Sequence, residues 1–440
     1  MRTQFTVILL LLACGMFAQD FDRALMDSLF SHIDMHDQGM GSISVFSDGT
    51  EIYGRAFGFA SLEEGLQADR KTKYRVGSVS KMFTATIIMR LIEQGKLDRG
   101  DKLGNYFPEI EGADRITIMQ LLRHRSGIFN FTDAEDYQEW MEQPVSRDEL
   151  VQKLGHYGTV FQPGEKGEYS NSNYVLLSLI AEKIEGKEFQ KILEEQITGP
   201  CGLKDTRMGG QINTEAQEAF SYIRIGEWKP ATETHMSVPL GAGAVVSTPA
   251  DLNRFLHCLF RGKLVSEGTL EEMKQIEENF GIGMFRFPFY GKSTYGHTGG
   301  IDGFQSVVAF FPEENVSIAY LSNGVVMSVN EILIGALSIC FGRDYKFPVF
   351  TEAIDLEPEA LKKYTGVYSS PDFPFDVSIT LKDGMLTGQA TGQPSFPLEA
   401  YEPHKFRFDQ AGLKMEFIPE EDKMILRQAG MEFVLSKEVN

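Results

Sequence analysis

The stretch Ser78-Val79-Ser80-Lys81 places a hydroxyl and an amine three residues apart, directly ahead of a strongly apolar segment. Apolar residues recur as far as Gln94 with the period of an α-helix. Residues three apart share one face of a helix, so we expect the Lys81 amine to reach the Ser78 hydroxyl. The positive end of the helix dipole favours an oxyanion beside the serine and disfavours a charged amine. The stretch therefore predicts an activated serine at a helix N-terminus.

Alone, this pattern is weak, because an N-cap serine followed one turn later by a solvated lysine has the same sequence. Two later motifs strengthen it: Tyr169-x-Asn171, where a loop turns into an apolar helix, and His297-Thr298-Gly299 in a predicted strand. Taken singly, the tyrosine fits a packing aromatic, the asparagine an N-cap and the histidine a strand residue. The ordered set predicts nucleophilic acyl transfer, which needs a serine, a base and an oxyanion hole.

The three motifs resemble those of the penicillin-recognising serine hydrolases, the group of class C β-lactamases, DD-peptidases, D-aminopeptidases and β-lactamase-like esterases. Phe161-Gln162-Pro163-Gly164, the run from Leu121 to Gly127 and the small-residue run from Gly241 to Thr248 are similar to the same family. The resemblance covers the chain from about Phe21 to Phe341. The third motif begins with His297, so it is similar to the DD-peptidase and D-peptidase branch more than to the lysine-bearing class C β-lactamases.

This resemblance implies a role for each motif residue. Ser78 would be the acylated nucleophile and Lys81 with Tyr169 the proton-transfer pair, with the first base left open between the two. Asn171 would hold the substrate amide. The segment His297-Thr298-Gly299-Gly300 would be the strand edge along which substrate lies, with His297 counted among the catalytic residues and the N–H groups of Ser78 and Gly300 forming the oxyanion hole.

One departure weakens a carboxypeptidase interpretation. DD-peptidases of this branch tend to carry a hydroxyl residue after the His-Thr-Gly triplet, which helps to bind a terminal carboxylate, whereas this chain has Gly300. Arg286 on the neighbouring predicted strand is a candidate replacement, although a solvated surface arginine is the simpler interpretation. No glutamate is identifiable as a deacylation base, so fast β-lactam hydrolysis is not supported. His124, in a basic turn, is expected to be structural rather than the base.

Composition limits the partners. The chain has 440 residues, with 62 Asp and Glu against 42 Lys and Arg and a formal net charge of -20, so polyanions such as nucleic acid or anionic membrane are disfavoured. We expect a small-molecule or peptide substrate, no cofactor and no metal site; the oligomeric state stays open. Cys201, Cys258 and Cys340 form an odd, scattered set, for which buried thiols are expected and no disulfide framework follows.

The N-terminus predicts export. Met1 to Gln19 has Arg2, an apolar core and Ala18 before a polar start, which is typical of a secretory signal peptide. The core is too short for a transmembrane helix, so no stable membrane insertion is expected. Cleavage near Ala18 would give a periplasmic or secreted protein. A lipoprotein acylated at Cys14 is the alternative.

The pattern along the chain predicts an α+β fold. Strand signals at 42–46, 51–59 and 282–323, with helices between, indicate one antiparallel sheet built from both ends of the domain, flanked by helices and with a helical subdomain. The resemblance implies a β-lactamase/transpeptidase-like architecture over residues 20–346. The irregular segment 200–239 is expected to wall a cleft.

A second, all-β domain follows a predicted linker at 347–357. Eight short alternating strands over residues 358–440 predict a small closed barrel, and a barrel of this size is expected to pack its interior with its own side chains. The barrel resembles the lipocalin-like domain that some D-peptidases of the family carry.

These observations give one leading hypothesis, an exported serine hydrolase acting on D-residue-containing peptides or related amides through a Ser78 acyl-enzyme. A carboxylesterase on the same scaffold, a weak β-lactamase and a non-catalytic binding or assembly protein are the alternatives.

Overall fold

A computed structural model describes residues 21–350, 353–382, 384–393, 395–428 and 431–438. The predicted signal peptide and Cys14 lie outside these residues. The helices of the described residues are α1 Arg23–Met35, α2 Ser80–Glu93, α3 Ile118–Leu122, α4 Tyr137–Trp140, α5 Arg147–Tyr157, α6 Asn171–Glu185, α7 Phe189–Leu193, α8 Gly199–Cys201, α9 Leu240–Gly243, α10 Pro249–Phe260, α11 Glu267–Lys274, α12 Val329–Cys340 and α13 Pro358–Leu361.

The strands of the N-terminal part are β1 Gly39–Ser47, β2 Thr50–Phe57, β3 Phe59–Ser61, β4 Leu66–Gln67, β5 Tyr74–Arg75, β6 Arg207–Met208, β7 Tyr222–Ile225, β8 Glu227–Pro230, β9 Val245–Ser247, β10 Phe285–Phe289, β11 Lys292–Ile301, β12 Phe304–Phe311 and β13 Val316–Val325. Those of the C-terminal part are β14 Gly366–Ser369, β15 Val377–Lys382, β16 Met385–Ala390, β17 Phe396–Glu402, β18 Lys405–Phe408, β19 Leu413–Ile418, β20 Lys423–Gln428 and β21 Met431–Lys437.

The main sheet is antiparallel and is built from both ends of the N-terminal part, as predicted. Its strand order is β10-β11-β12-β13-β1-β2, so the first strand of the chain pairs with the last strand of the sheet, with Ser42 opposite Leu321. Asp48 and Gly49 join β1 to β2 with φ of 50° and 77°. Two successive positive φ values define the hairpin turn that an Asp-Gly pair favours.

Helices cover the sheet on both faces. On one face, α1 and α12 bury Leu29, Phe30 and Ile332 against the sheet. On the other, α10 packs on β1 and β13, and α2 lies beyond it with its Phe83 ring stacked on Phe255. Truncating Leu29 or Phe30 to alanine should cost about 2–5 kcal/mol, since both are fully buried.

A helical subdomain surrounds α2, which is buried on nearly all sides. Twelve side chains of this helix are buried, from Ser80 to Ile92, as expected for a helix enclosed by others. It packs against α6 and α9, and α6 in turn contacts α3 and α5. The predicted helix start needs a correction: Ser78 lies in a 3-10 turn, Gly77–Val79, and α2 begins at Ser80.

The cysteines also require a correction. Cys201 at the end of α8 and Cys258 in α10 form a disulfide, whereas the sequence pattern predicts two separate buried thiols. Their separation of 57 positions matches no sequence pattern that signals pairing, and the packing of α8 against α10 brings their Cα atoms to 6.0 Å. Cys340 is a free thiol at the end of α12.

The C-terminal strands form the predicted closed barrel. Each strand from β14 to β21 pairs with the next, and β21 returns to β14 with Lys437 opposite Tyr368. Inward-facing side chains such as Val377, Phe406 and Met424 fill its interior as one cluster. The main chain of Ile354, in the predicted linker, donates a hydrogen bond to the carbonyl of Ala400 in the barrel at 2.8 Å.

Among the helices within the described ranges, none is long and apolar enough to cross a bilayer.

Candidate active site

Ser78 lies at the floor of a cleft of about 400 Å³. Its 3-10 turn begins at Gly77, which has a φ of 48° and lies against the main chain of Gly300; a Cβ there would be 2.8 Å from the Gly300 carbonyl oxygen. Only glycine combines this backbone conformation with so close an approach. The turn thus aims the half-buried Ser78 hydroxyl into the cleft, next to β11.

Lys81 is completely buried and its amine has three neighbours. The Nζ atom lies 2.9 Å from Ser78 Oγ, 2.7 Å from Asn171 Oδ1 and 2.8 Å from the carbonyl oxygen of Ala242. The expected contact between the lysine and the serine is therefore present. The alternative of a solvated lysine does not fit a side chain with no exposed surface.

The protonation state of Lys81 follows from its burial and its partners. Burial lowers the pKa of the amine well below its usual value, which favours the neutral form. A neutral amine has two N–H groups and one lone pair. The Asn171 and Ala242 oxygens can only accept hydrogen bonds, so they take both N–H groups and leave the lone pair for the Ser78 hydroxyl.

Tyr169 lies in the loop just before α6, with its ring centroid 4.9 Å from Lys81 Nζ. Burial raises its pKa above the usual value, and the neighbouring Ser78 hydroxyl offsets this rise in part. The phenol is therefore uncharged at neutral pH. The ring is held between His124, at 4.5 Å between centroids, and Phe285, at 6.4 Å.

Asn171 is the first residue of α6 and lines the cleft. Its Nδ2 donates to Asn130 Oδ1 and to Thr132 Oγ1, both at 3.1 Å, while its Oδ1 accepts from Lys81. All the polar atoms of the side chain are thus engaged before any substrate enters. A substrate carbonyl that accepted from Asn171 Nδ2 would have to displace one of these acceptors, whereas Oδ1 keeps a second lone pair for a substrate N–H.

His297 is buried in β11 and faces the same side as Tyr169, with 6.5 Å between ring centroids. Its Nδ1 bonds to the carbonyl of Thr298, and its ring packs on Phe285 at 4.6 Å. Burial lowers the pKa of His297 to about 3, so the imidazole is neutral at neutral pH. It therefore adds a polar but uncharged ring to the site.

The last residues of β11 have a free edge. Strand β10 begins at Phe285, which pairs with Gly296, so among the described residues the segment from His297 to Ile301 pairs with β12 alone. The hairpin closes at the pair Ile301–Phe304, and hydrogen-bonded and non-bonded pairs alternate along an antiparallel ladder. The N–H of Gly300, one residue back from the closing pair, therefore points away from β12 and towards the cleft.

The other glycine of the motif is required by close packing. A Cβ on Gly299 would be 2.2 Å from the carbonyl oxygen of Val76 and 2.9 Å from the Ser78 nitrogen. The Thr298 side chain points the other way, into a separate cavity of about 320 Å³ under α12. A contact between Thr298 and a substrate in the Ser78 cleft would thus use its main chain.

Two sets of residues wall the cleft. The irregular segment 200–239 forms one side, as predicted, through Ile223, Ala231, Thr232, Thr234 and Pro239. The opposite side consists of Phe131, Thr132, Tyr137, Gln138 and Met141, which no sequence motif singled out. Asn130 and Thr132 also orient Asn171. The one sequence feature that could have pointed to them is that they closely follow the family-like run from Leu121 to Gly127.

Two other residues discussed in the sequence, Arg286 and His124, lie outside the group formed by Ser78, Lys81 and Tyr169. Arg286 is exposed on β10 and donates to Ser293 at 2.8 Å, as expected for a surface arginine. His124 is buried behind Tyr169, and its Nδ1 accepts the N–H of Ser170 at 3.1 Å. Within the described part of the chain, no three His, Cys, Asp or Glu side chains are grouped so as to hold a metal ion.

A family model described as Beta-lactamase matches residues 12–334 of the chain. Penicillin-binding protein 4* of Bacillus subtilis (strain 168) is 26% identical, and the match covers 93% of this chain and 97% of that protein. Teichoic acid D-alanine hydrolase of Staphylococcus aureus (strain MRSA252) is 24% identical over 71% of this chain and 75% of its own length.

Among solved structures, D-amino acid amidase from Ochrobactrum anthropi SV3, complexed with L-phenylalanine amide, has a TM-score of 0.65 at 24% identity. It covers 73% of this chain and 99% of its own. The octameric penicillin-binding protein homologue from Pyrococcus abyssi has a TM-score of 0.66 at 23% identity and covers 94% of this chain and 100% of its own. At this level of identity the structural likeness establishes the fold alone.

Proposed function

Because the chain belongs to the beta-lactamase family, we propose that it is a serine hydrolase that forms an acyl-enzyme at Ser78. The observation that carries the proposal is the buried Lys81 amine, whose lone pair is left for the Ser78 hydroxyl at 2.9 Å. A serine needs such a base within hydrogen-bond reach to become a nucleophile at neutral pH. A binding protein without turnover would have no need to bury a neutral lysine there.

In the proposed mechanism, Lys81 is the first base. It accepts the Ser78 proton as Oγ attacks the substrate carbonyl, and the N–H groups of Ser78 and Gly300 stabilise the resulting oxyanion. Tyr169, an uncharged phenol, passes a proton towards the leaving group, which departs as an amine or alcohol. Water then enters, loses a proton to the same pair of residues and releases the acid, so that Ser78 and Lys81 return to their starting states.

For the substrate we propose D-residue-containing peptides or related amides. The His-Thr-Gly motif at His297 supports this class, as do two relatives, one named for D-amino acid amides and the other for teichoic acid D-alanine. A carboxylesterase is the second candidate, because the same acyl-enzyme forms from an ester and the cleft has no feature that requires a leaving amine.

The charges of the cleft favour a neutral leaving group over a terminal carboxylate. Among the described residues that line the cleft there is no lysine or arginine, and Gly300 offers no hydroxyl. The one acidic lining residue, Asp302, is paired with Arg75 at 2.8 Å. A carboxylate entering this cleft would lose its hydration without gaining a cation, which is unfavourable. Carboxamides and esters avoid that cost.

The decisive experiment combines active-site labelling with a matched substrate pair. A fluorophosphonate probe should label Ser78 in the purified protein and leave Ser78→Ala unlabelled, as peptide mapping will show. A D-alanyl-D-alanine peptide should be cleaved at least about tenfold more slowly than the same peptide with a C-terminal amide, with a D-amino-acid anilide, a short-chain nitrophenyl ester and a chromogenic cephalosporin completing the panel. Labelling of another serine would contradict the proposed nucleophile, and faster cleavage of the free carboxylate would contradict the proposed substrate class.

We further propose that the protein is exported. The predicted signal peptide is one support, and the Cys201–Cys258 disulfide is an independent one, because such bonds persist in oxidising compartments outside the cytosol. N-terminal sequencing of the mature protein tests this. A start near Gln19 is expected, whereas a diacylated Cys14 would establish the lipoprotein alternative.

A further inference from the structure

A buried ion pair joins the two segments that flank the proposed oxyanion hole. Arg75 precedes Ser78 by three residues, and Asp302 follows Gly300 by two. Their side chains are 3% and 1% exposed, and Arg75 Nη1 lies 2.8 Å from Asp302 Oδ2. The mechanism above uses neither residue, so the pair needs a separate explanation.

The two segments belong to different sheets. Arg75 ends β5, which pairs with β9, whereas Gly300 lies in β11, which pairs with β10 and β12. Their main chains nevertheless touch, since a Cβ on Gly77 would be 2.9 Å from the Gly300 nitrogen. Side chains provide the links across this seam: the Arg75–Asp302 pair, and Ser306 Oγ, which donates to the carbonyl of Val76 at 2.8 Å.

Both carboxylate oxygens of Asp302 have partners in neighbouring segments. The residue opens the two-residue turn between β11 and β12 with a φ of 56°, where glycine is the usual choice. Its Oδ1 accepts from the main-chain nitrogen of Thr234 at 3.0 Å and from the Thr234 hydroxyl at 2.6 Å. The carboxylate thus binds Arg75 with one oxygen and the cleft wall with the other.

Arg75 is equally well used. Its Nη1 also donates to the carbonyl of Thr234 at 3.0 Å, and its Nη2 donates to Gly210 at 3.1 Å and to Glu233 at 2.7 Å. A planar guanidinium fixes several partners at once, which a lysine does not. The pair therefore ties together the nucleophile turn, the end of β11 and the wall segment 210–234.

We infer that the Arg75–Asp302 pair is a positioning device that sets the spacing between the Ser78 and Gly300 N–H groups, and hence the fit of the oxyanion. This inference rests on the proposed function. An oxyanion hole stabilises the transition state and not the bound substrate. Loosening the pair should therefore lower kcat and leave KM almost unchanged.

The test compares Asp302→Asn with Asp251→Asn. Asp251 is another fully buried aspartate, which binds Arg254 and the main chain of Asp205 away from the cleft lining. With a nitrophenyl ester, Asp302→Asn should lower kcat by about 10- to 100-fold, the scale of one misplaced oxyanion-hole donor, with KM within threefold. The Ki of phenylboronic acid, which forms a tetrahedral adduct with the nucleophile, should rise by the same factor. Asp251→Asn should keep kcat and the Ki of phenylboronic acid within twofold of the wild type. This should hold even if its urea unfolding midpoint falls as far as that of Asp302→Asn.

If Asp302→Asn does not fold, Arg75→Lys is measured for the same kcat, KM and Ki. This substitution keeps the positive charge and removes the planar guanidinium that binds several partners at once. A folded variant with kcat within twofold of the wild type overturns the inference, as does a loss confined to KM. Absence of turnover and of Ser78 labelling in the wild type would instead contradict the proposed function, so the two failures are distinguishable.

Discussion

The imidazole of His124 stacks on the phenol ring of Tyr169, with 4.5 Å between the ring centroids and 27° between the planes. The same imidazole accepts the N–H of Ser170, the residue between Tyr169 and Asn171. Burial holds the pKa of His124 well below its usual value, so Nδ1 stays an acceptor at neutral pH. His124 thus supports the short segment that carries two side chains of the site.

Replacing His124 should slow the reaction without abolishing it. His124→Asn suits this test because asparagine tolerates the positive φ of 56° and keeps an acceptor oxygen, while the ring is lost. An aromatic pair contributes about 0.5–1.5 kcal/mol beyond the area it buries, so kcat should fall by about 3- to 10-fold. His156→Asn, on an exposed face of α5, should have no effect. An unchanged kcat for His124→Asn would show that Tyr169 is held by other contacts.

Removing either member of the proton-transfer pair should be far more damaging. Lys81→Ala and Tyr169→Phe should each lower kcat by a factor of about 100 to 10,000, the usual contribution of general acid–base catalysis. The double variant should be little worse than either single one. Lys81→Arg should fail nearly as badly, because guanidinium keeps its proton. Lys96→Arg, at a half-exposed side chain, is the control and should retain full activity. Near-normal turnover in Lys81→Arg would exclude Lys81 as the base.

The rate should depend on pH through Lys81. Because burial lowers its pKa, the amine loses its proton at a lower pH than an exposed lysine does, and it becomes protonated as the pH falls through that lowered value. A protonated amine cannot accept the Ser78 proton, so kcat/KM should decline on the acid side. The decline should persist in His297→Gln, and its disappearance in that variant would assign the titration to His297 instead.

The stability of the protein should depend on pH through His297. Burial lowers the pKa of this residue to about 3 in the folded state, against about 6.5 in an unfolded chain. Between these values the unfolded chain binds the extra proton, so stability is lost as the pH falls from 6.5 towards 3. The free energy of unfolding in urea should therefore change less steeply with pH in His297→Gln than in the wild type. The difference between the two slopes should be at most about 1.4 kcal/mol per pH unit. The exposed His36→Gln serves as control, and an identical slope in His297→Gln would refute the shift.

The disulfide should stabilise the fold and leave catalysis unchanged. It closes a loop of 57 residues, for which the loss of chain entropy in the unfolded state corresponds to about 4 kcal/mol. Cys201→Ser/Cys258→Ser should therefore lower the free energy of unfolding in urea by about 2–5 kcal/mol, with kcat unchanged at 25 °C. Cys340→Ser is the matched control, because Cys340 has no disulfide partner among the residues that the structure describes. If reductant lowers the stability of the wild type no more than that of the double variant, the bond does not form.

Much of the fold was readable because its signals are local. Alternating apolar residues marked the barrel, since the eight strands expected over residues 358–440 are the eight observed between Gly366 and Lys437. The strand signals at 42–46 and 51–59 likewise marked β1 and β2 of the first hairpin. The three motifs also named five side chains that the fold gathers in one group: Ser78, Lys81, Tyr169, Asn171 and His297.

What could not be read depends on contacts between distant segments. Ala242 acts through its carbonyl oxygen, which every residue carries, so no side chain signals it. The pairing of Cys201 with Cys258 depends on how α8 packs against α10. Asp302 occupies a turn position where an aspartate suggests nothing more than a turn, and only the fold places Arg75 opposite it.

The main sheet also has a consequence for the order in which the molecule assembles. Ser322 in β13 bonds to the carbonyl of Met40 in β1 across 282 residues of sequence. The pair of β1 with β13 therefore cannot form until the ribosome has made nearly the whole N-terminal part, and contacts this distant in sequence form slowly. The barrel is the opposite case, since nearly all of its pairings join neighbouring strands. A newly made chain would thus carry the β1–β2 hairpin without its β13 partner for most of its synthesis, which is compatible with the proposed export of a chain that has not yet folded.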